Sequence, residues 1–264
     1  MLRLCYSALS PFCRKVRMAM DHMQLDYEVF DSGDVKKFPA FNLRAEIPIL
    51  QDGATTVRNS ATIIDYLHRR FPDAPSLFPR EHAAYAVAKE WELIADTTVD
   101  PIVTNVGIWA FADLRPMPEG VWEAARADID VIYDKLEAQL DGNDYVVGEL
   151  SVADFALYPH LIGGKALNLA ADAEKYPRVK AWLARIKSSK VGNADFVEAV
   201  KWWKTKDQQD VETDKINWGT YRLEWFLAHG FHKYFMEEIE RDAVIWSVGP
   251  NNNANNSPLA EKNG

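Results

Sequence analysis

Ser10-Pro11-Phe12-Cys13-Arg14-Lys15-Val16 places a hydroxyl where a short apolar run, Met1 to Tyr6, gives way to a helical pattern. Ser10 is a preferred N-cap residue, and Pro11 fits a position whose N–H has no intrahelical partner. Arg14, Val16, Arg17, Met18 and Met20 continue the periodicity. Free backbone N–H groups and the positive dipole end then favour an anion beside Ser10. A thiolate fits that place. A free thiol, with a pKa of ~8.5, is little ionised at neutral pH, and lowering that pKa by about 2 units requires ~2.7 kcal/mol. A helix N-terminus contributes roughly 0.3–1 kcal/mol, and ~2 when partly buried. A hydroxyl-to-thiolate hydrogen bond adds roughly 1.5–3 kcal/mol. Ser10 can provide both. Cys13 reads as packed beneath the helix, with acidification by the dipole as the alternative, and Cys5 as a small core residue alternating with Leu2 and Leu4. Arg14, Lys15 and Arg17 read as a solvated helix face.

Other elements must position that hydroxyl. Asn42 to Leu50 reads as a loop running into a strand, with Pro48 where no ladder N–H is needed. Asp52-Gly53 followed by Thr55-Thr56-Val57 reads as a hairpin turn and return strand. Arg58 to Leu67 reads as a turn capped by Ser60, then a helix burying Ile63, Ile64 and Leu67.

This order of elements, within residues 1–72, resembles the thioredoxin-like domain of the cytosolic glutathione transferases, in particular serine-type, bacterial-looking members. Val147-Gly148-Glu149-Leu150-Ser151-Val152-Ala153-Asp154-Phe155-Ala156-Leu157 resembles a capped helix of the same family's all-α domain. The resemblance implies an α/β thioredoxin-like N-terminal domain, a mixed four-stranded sheet with helices, followed by an all-α C-terminal domain. It implies glutathione as co-substrate, with Ser10 donating a hydrogen bond to its sulfur. Ile47 and a cis Pro48 would pair with its cysteinyl unit, and Ser60 with Asn59 would hold its γ-glutamyl end. Asn59 stands where an acidic residue or Gln is common. Glu46 stands where a Lys often reaches the glycyl carboxylate, leaving Lys36, Lys37 or Arg44 as substitutes. The electrophile pocket is expected between the domains, lined by Ala8, Leu9, Thr104, Trp109 and Phe111. Asp96 would be a solvated carboxylate or reach a neighbouring subunit's glutathione. A homodimer is implied.

At 264 residues and 48% hydrophobic, the chain can form one large or two modest cores. We divide it into a thioredoxin-like domain at 1–78, an all-helical domain at 79–190, an aromatic-rich helical extension at 191–248 and a disordered tail at 249–264. The net charge of −9, with no basic stripe, argues against a nucleic-acid or acidic-membrane partner. No run reaches the ~20 apolar residues of a membrane span, so a cytoplasmic location is expected. Two cysteines make neither a disulfide scaffold nor a zinc site, and His160, His229 and His232 have no ligand spacing, so no metal is expected. His82 to Asp113 reads as helical with an interruption at Asp100-Pro101, and Ser151 to Asp154 as a capping box. The extension holds five of the nine tryptophans, so it must bury itself, either as added packing or as a wall for an aromatic substrate. The expected reaction is attack of the glutathione thiolate on a small, aromatic electrophile. Competing readings are a glutathione-dependent aryl-ether lyase or dehalogenase of the same fold, an omega-like thiol transferase with a Cys in place of Ser10, and a non-catalytic binding protein.

Overall fold

The computed structural model describes residues 1–31, 46–110, 116–205, 216–217 and 219–245. Lys36, Lys37, Arg44, Phe111 and the 249–264 tail lie outside them. Strand β1 (Leu2–Tyr6) is central in a four-stranded sheet of order β2-β1-β3-β4, with β2 at Tyr27–Asp31, β3 at Ile49–Asp52 and β4 at Thr55–Arg58. Leu2, Leu4 and Tyr6 are buried on one face while Arg3 stays exposed, and Cys5 is also fully buried. β1 pairs parallel with β2, which needs a crossover, and helix α1 (Pro11–His22) supplies it. β1 and β4 both run antiparallel to β3, and the two-residue turn Gly53-Ala54 has Gly53 at φ 57, a conformation glycine adopts without penalty. Helix α2 (Ser60–Arg70) then buries Ile63, Ile64 and Leu67, as their spacing predicts.

The rest is mostly helical: α3 (His82–Ile94), α4 (Asp100–Gly107), α5 (Val121–Gln139), α6 (Val152–Leu161), α7 (Pro177–Ser188), α8 (Lys190–Lys204), α9 (Thr220–Ala228) and α10 (His232–Glu240). A π-helical turn, Ala95–Val99, joins α3 to α4, where Pro101 occupies the first turn and its missing N–H costs least. The Asp100-Pro101 interruption predicted from sequence is thus a restart through continuous helical backbone. Every residue of α6 is buried. Its N-terminus is the expected capping box, in which Asp154 accepts from Ser151 N–H at 2.9 Å, Ser151 Oγ at 3.0 Å and also Trp182 Nε1 at 2.8 Å. Two-residue strands β5 (Ile216–Asn217) and β6 (Val244–Ile245) pair in parallel beyond α8.

The basic cluster on α1 corrects the sequence reading. Arg14 and Lys15 are buried, 6% and 1% exposed, because the helical half packs over that face. Arg14 grips Asp195 of α8 through Nε–Oδ1 at 2.9 Å and Nη2–Oδ2 at 2.6 Å. Lys15 Nζ lies 2.6 Å from Asp96 Oδ2 and 3.3 Å from Glu92 Oε1. Asp96, read as solvated or facing a second subunit, pairs within the chain, and burial still pushes its carboxyl pKa up against the pull of Lys15.

Candidate active site

Sheet register decides which loops meet. Cys5 stands opposite Ile49 and Ile49 opposite Arg58, so the segments Ser7–Ser10, Ile47–Pro48 and Asn59–Ser60 all emerge at one end of adjacent strands. Residues 10, 48 and 60, far apart in sequence, therefore share one rim. Ala8 and Leu9 lie in the first segment and are half-exposed.

Ser10 caps α1 from an extended conformation, φ −80 and ψ 116, and its Oγ accepts the N–H of Cys13 at 3.3 Å. Its backbone N–H donates to Ser7 O at 3.1 Å, closing a turn that fixes the hydroxyl at the helix mouth. The Ser10 side chain is partly exposed, and its hydroxyl also acts on the Cys13 thiol in the direction that favours ionisation. Cys13 is fully buried, and burial pushes its thiol pKa up to about 12 despite the contacts from Ser10 and Ser7. The dipole does not win at this depth, because desolvation of a thiolate exceeds what a helix end supplies.

The Ile47–Pro48 bond is cis, as expected. Pro48 is buried and Ile47 half-buried, ahead of β3. At the third corner the sequence reading needs a correction: Asn59, not Ser60, caps α2. Asn59 takes φ 68, and its Oδ1 accepts from Thr62 N–H at 3.2 Å. With ψ 128 the residue lies outside the αL basin, so its backbone is strained. Ser60 is instead the first helical residue, 2% exposed, and its Oγ has no hydrogen-bond partner among the described residues. A buried hydroxyl left so costs about 1–3 kcal/mol unless a ligand or water satisfies it. Beside it are the free N–H groups of a helix start.

Thr104 and Trp109 sit on and just past α4, and both engage neighbouring elements. Thr104 Oγ1 donates to Asp100 at 2.9 Å, while Trp109 packs against Phe226 of α9 and Tyr234 of α10, ring centroids 6.3 and 5.8 Å apart. Sequence reasoning missed the polar centre behind them. Asp100, 4% exposed, binds Arg222 through two hydrogen bonds and lies 3.9 Å from His160 Nδ1. Burial works to raise its pKa, but Arg222 and His160 hold it below the ordinary carboxylate value. His160 is driven the other way by burial, down to about 4. Its ring meets Phe12 edge-on at 5.8 Å, linking this centre to the start of α1. A separation of 122 residues hid the Asp100–Arg222 pair, since no periodicity connects α4 to α9.

Among the described residues no group of three metal-capable side chains converges, and no helix is long and apolar enough to cross a membrane.

Residues 4–75 match the family model for the glutathione S-transferase N-terminal domain, and residues 106–190 that for the glutathione S-transferase C-terminal domain. Glutathione S-transferase U4 of Arabidopsis thaliana is 23% identical over 194 residues, covering 69% of this chain and 82% of its own. Among solved structures, a glutathione S-transferase from Rhodospirillum rubrum F11 superposes with a TM-score of 0.66 at 25% identity, covering 73% of this chain and 90% of its own. The β-etherase LigF of Sphingobium superposes with a TM-score of 0.65 at 21% identity, covering 75% and 99% respectively, a likeness of fold.

Proposed function

We propose that this chain, which belongs to the glutathione S-transferase family, carries out the transfer of its co-substrate glutathione with Ser10 as the group that holds the sulfur ionised. The observation that carries this reading is the Ser10 hydroxyl: it caps α1, is partly exposed at the rim, and stands at the positive end of the helix. The sulfur of glutathione, placed there, receives an O–H hydrogen bond. The thiol proton leaves to solvent, so neither a base nor a His-Asp pair is required. The thiolate then attacks an electrophilic carbon: a carbon–sulfur bond forms and the bond to the leaving group breaks, that group departing with the electron pair.

The residues fit the tripeptide. The partnerless, buried Ser60 Oγ and the N–H groups at the start of α2 suit the γ-glutamyl carboxylate. Ile47, ahead of Pro48, offers backbone groups to the cysteinyl unit. Asn59 spends its side-chain oxygen on the cap, which leaves its amide N–H groups as the part available to glutathione. Ala8, Leu9 and the end of α4 with Trp109 form the electrophile side, and the ring surfaces there favour a small aromatic electrophile. A second copy joined through the exposed Tyr85 and Leu93 of α3, and a cytoplasmic location, belong to the same proposal.

Ser10→Ala tests it. Losing a charge-assisted hydrogen bond worth roughly 1.5–3 kcal/mol lowers kcat/KM toward an aryl halide by about 10- to 100-fold, with retention on immobilised glutathione preserved. Unchanged turnover would exclude the assignment. Retention without turnover in the wild type would favour a binding protein. Turnover confined to aryl ethers would favour a lyase, and disulfide exchange lost on Cys13→Ala an omega-like thiol transferase.

A further inference from the structure

Helix α9 packs along α4 while Tyr234 of α10 meets Trp109 just past it, and one residue ties α9 to α4. Arg222 of α9 donates from Nε to Asp100 Oδ2 at 2.9 Å and from Nη2 to Asp100 Oδ1 at 3.1 Å, while its own carbonyl accepts from Asn105 Nδ2 at 3.0 Å. Side chain and backbone of a single residue are thus tied to two residues of α4, which sets both the height and the rotation of α9. One turn on, Phe226 is fully buried between Trp109 and Tyr234. Asp100 in turn reaches the start of α1 through His160 and Phe12. Arg222 also feels the charge of Glu46, the residue before Ile47–Pro48. Through Asp100 the guanidinium is thus linked to the start of α1, and 27% of its side chain remains exposed.

An apolar contact would hold α9 at least as strongly, because a buried ion pair spends most of its attraction on desolvation. What the pair adds is a single docking geometry. We propose that Arg222 is a positioning residue that determines specificity: its pairing with Asp100 holds α9 as a fixed wall on the electrophile side of the cleft and so limits the size of electrophile that the sulfur can reach. This rests on the reading of Ser10 and α4 given above.

The test uses the full chain. Arg222→Met with Asp100→Asn removes the pair without stranding a buried carboxylate, and Phe226→Ala thins the same wall while leaving the pair intact. For each, kcat/KM is measured at saturating glutathione with a one-ring and a two-ring aryl halide, alongside KM for glutathione. The expected result is a two-ring to one-ring ratio raised by about tenfold, within the range by which pocket shape discriminates substrates, with KM for glutathione within about twofold. Arg222→Lys, which keeps the charge but loses the fork, falls between wild type and the double variant. A ratio unchanged in folded double variant and in Phe226→Ala overturns the proposal, as does an equal loss for both electrophiles. If instead Ser10→Ala retains full turnover, the sulfur assignment fails while the ratio still reports on the wall.

Discussion

Ser10 and Cys13, joined by a 3.3 Å hydrogen bond from the Cys13 N–H to the Ser10 Oγ, divide polar work and packing at the head of α1. The hydroxyl is partly exposed, whereas the thiol is sealed from water. With its pKa pushed up to about 12 by burial, Cys13 is not a nucleophile near neutrality. Cys5, equally buried, is no more accessible. In a titration with an aromatic disulfide reagent the native chain should therefore expose neither thiol within minutes, and both once unfolded. Cys13→Ala should retain turnover. Rapid native modification of Cys13 accompanied by loss of activity would refute this division.

His160 makes stability depend on pH. Its pKa, about 4 in the folded chain, reflects burial first; Asp100 opposes the shift, and Lys15, Arg14 and Arg222 reinforce it. Unfolded, the group titrates at ~6.5. Between these values the unfolded chain binds more protons, so stability rises with pH across the window and is lost as the pH falls through it. That loss amounts to about 3 kcal/mol from this group. Urea midpoints measured across the window should slope less in His160→Leu than in wild type, whatever the offset between the two proteins at neutral pH. Parallel slopes would show that other groups carry the dependence.

Asn59 combines a cap with a positive-φ backbone, and the two can be separated. Asn59→Ala loses the bond to Thr62 N–H while keeping a β-carbon at φ 68, so it costs the cap, about 1 kcal/mol. Asn59→Gly loses the bond but relieves the backbone, and should cost only a few tenths of a kcal/mol. Thermal unfolding of the two variants decides it. Equal destabilisation would mean that the backbone conformation contributes nothing.

Local rules made the rim legible in the sequence. Ser10 followed by Pro11, the Ile-Pro strand entry and the Ser151–Asp154 box all rest on interactions within a few residues and lie where the pattern placed them, while the hairpin turn shifts by one residue to Gly53-Ala54. The cap of α2 slipped by one position because Asn and Ser are near-equal N-cap residues and stand side by side. Long-range pairing was not legible. Arg14 and Lys15 look like any solvated basic pair until α3, the π-helical turn after it and α8 supply Glu92, Asp96 and Asp195 from some 77 to 181 residues away. His160 and Asp100 likewise become a polar centre only once α9 delivers Arg222.

Two ion pairs between α1 and α8 separate burial from proximity. Arg14 and Asp195 are 8% and 4% exposed in their side chains, while Arg17 and Glu198, one turn further on, are 29% and 35% exposed. Removing one partner of the buried pair strands the other: among the described residues Asp195→Ala leaves the Arg14 guanidinium with only the Pro159 carbonyl as hydrogen-bond partner, 3.0 Å away, and should cost about 3–5 kcal/mol. Glu198→Ala, at the wetter pair, should cost about 0–1 kcal/mol. Replacing both buried partners, Arg14→Met with Asp195→Leu, should recover most of the loss, since no charge is then left in the interface. Urea unfolding of the four proteins supplies the cycle. If Asp195→Ala and Glu198→Ala are equally mild, α8 is held to α1 by its apolar contacts, and the buried pair is not what fixes the helix that carries Ser10.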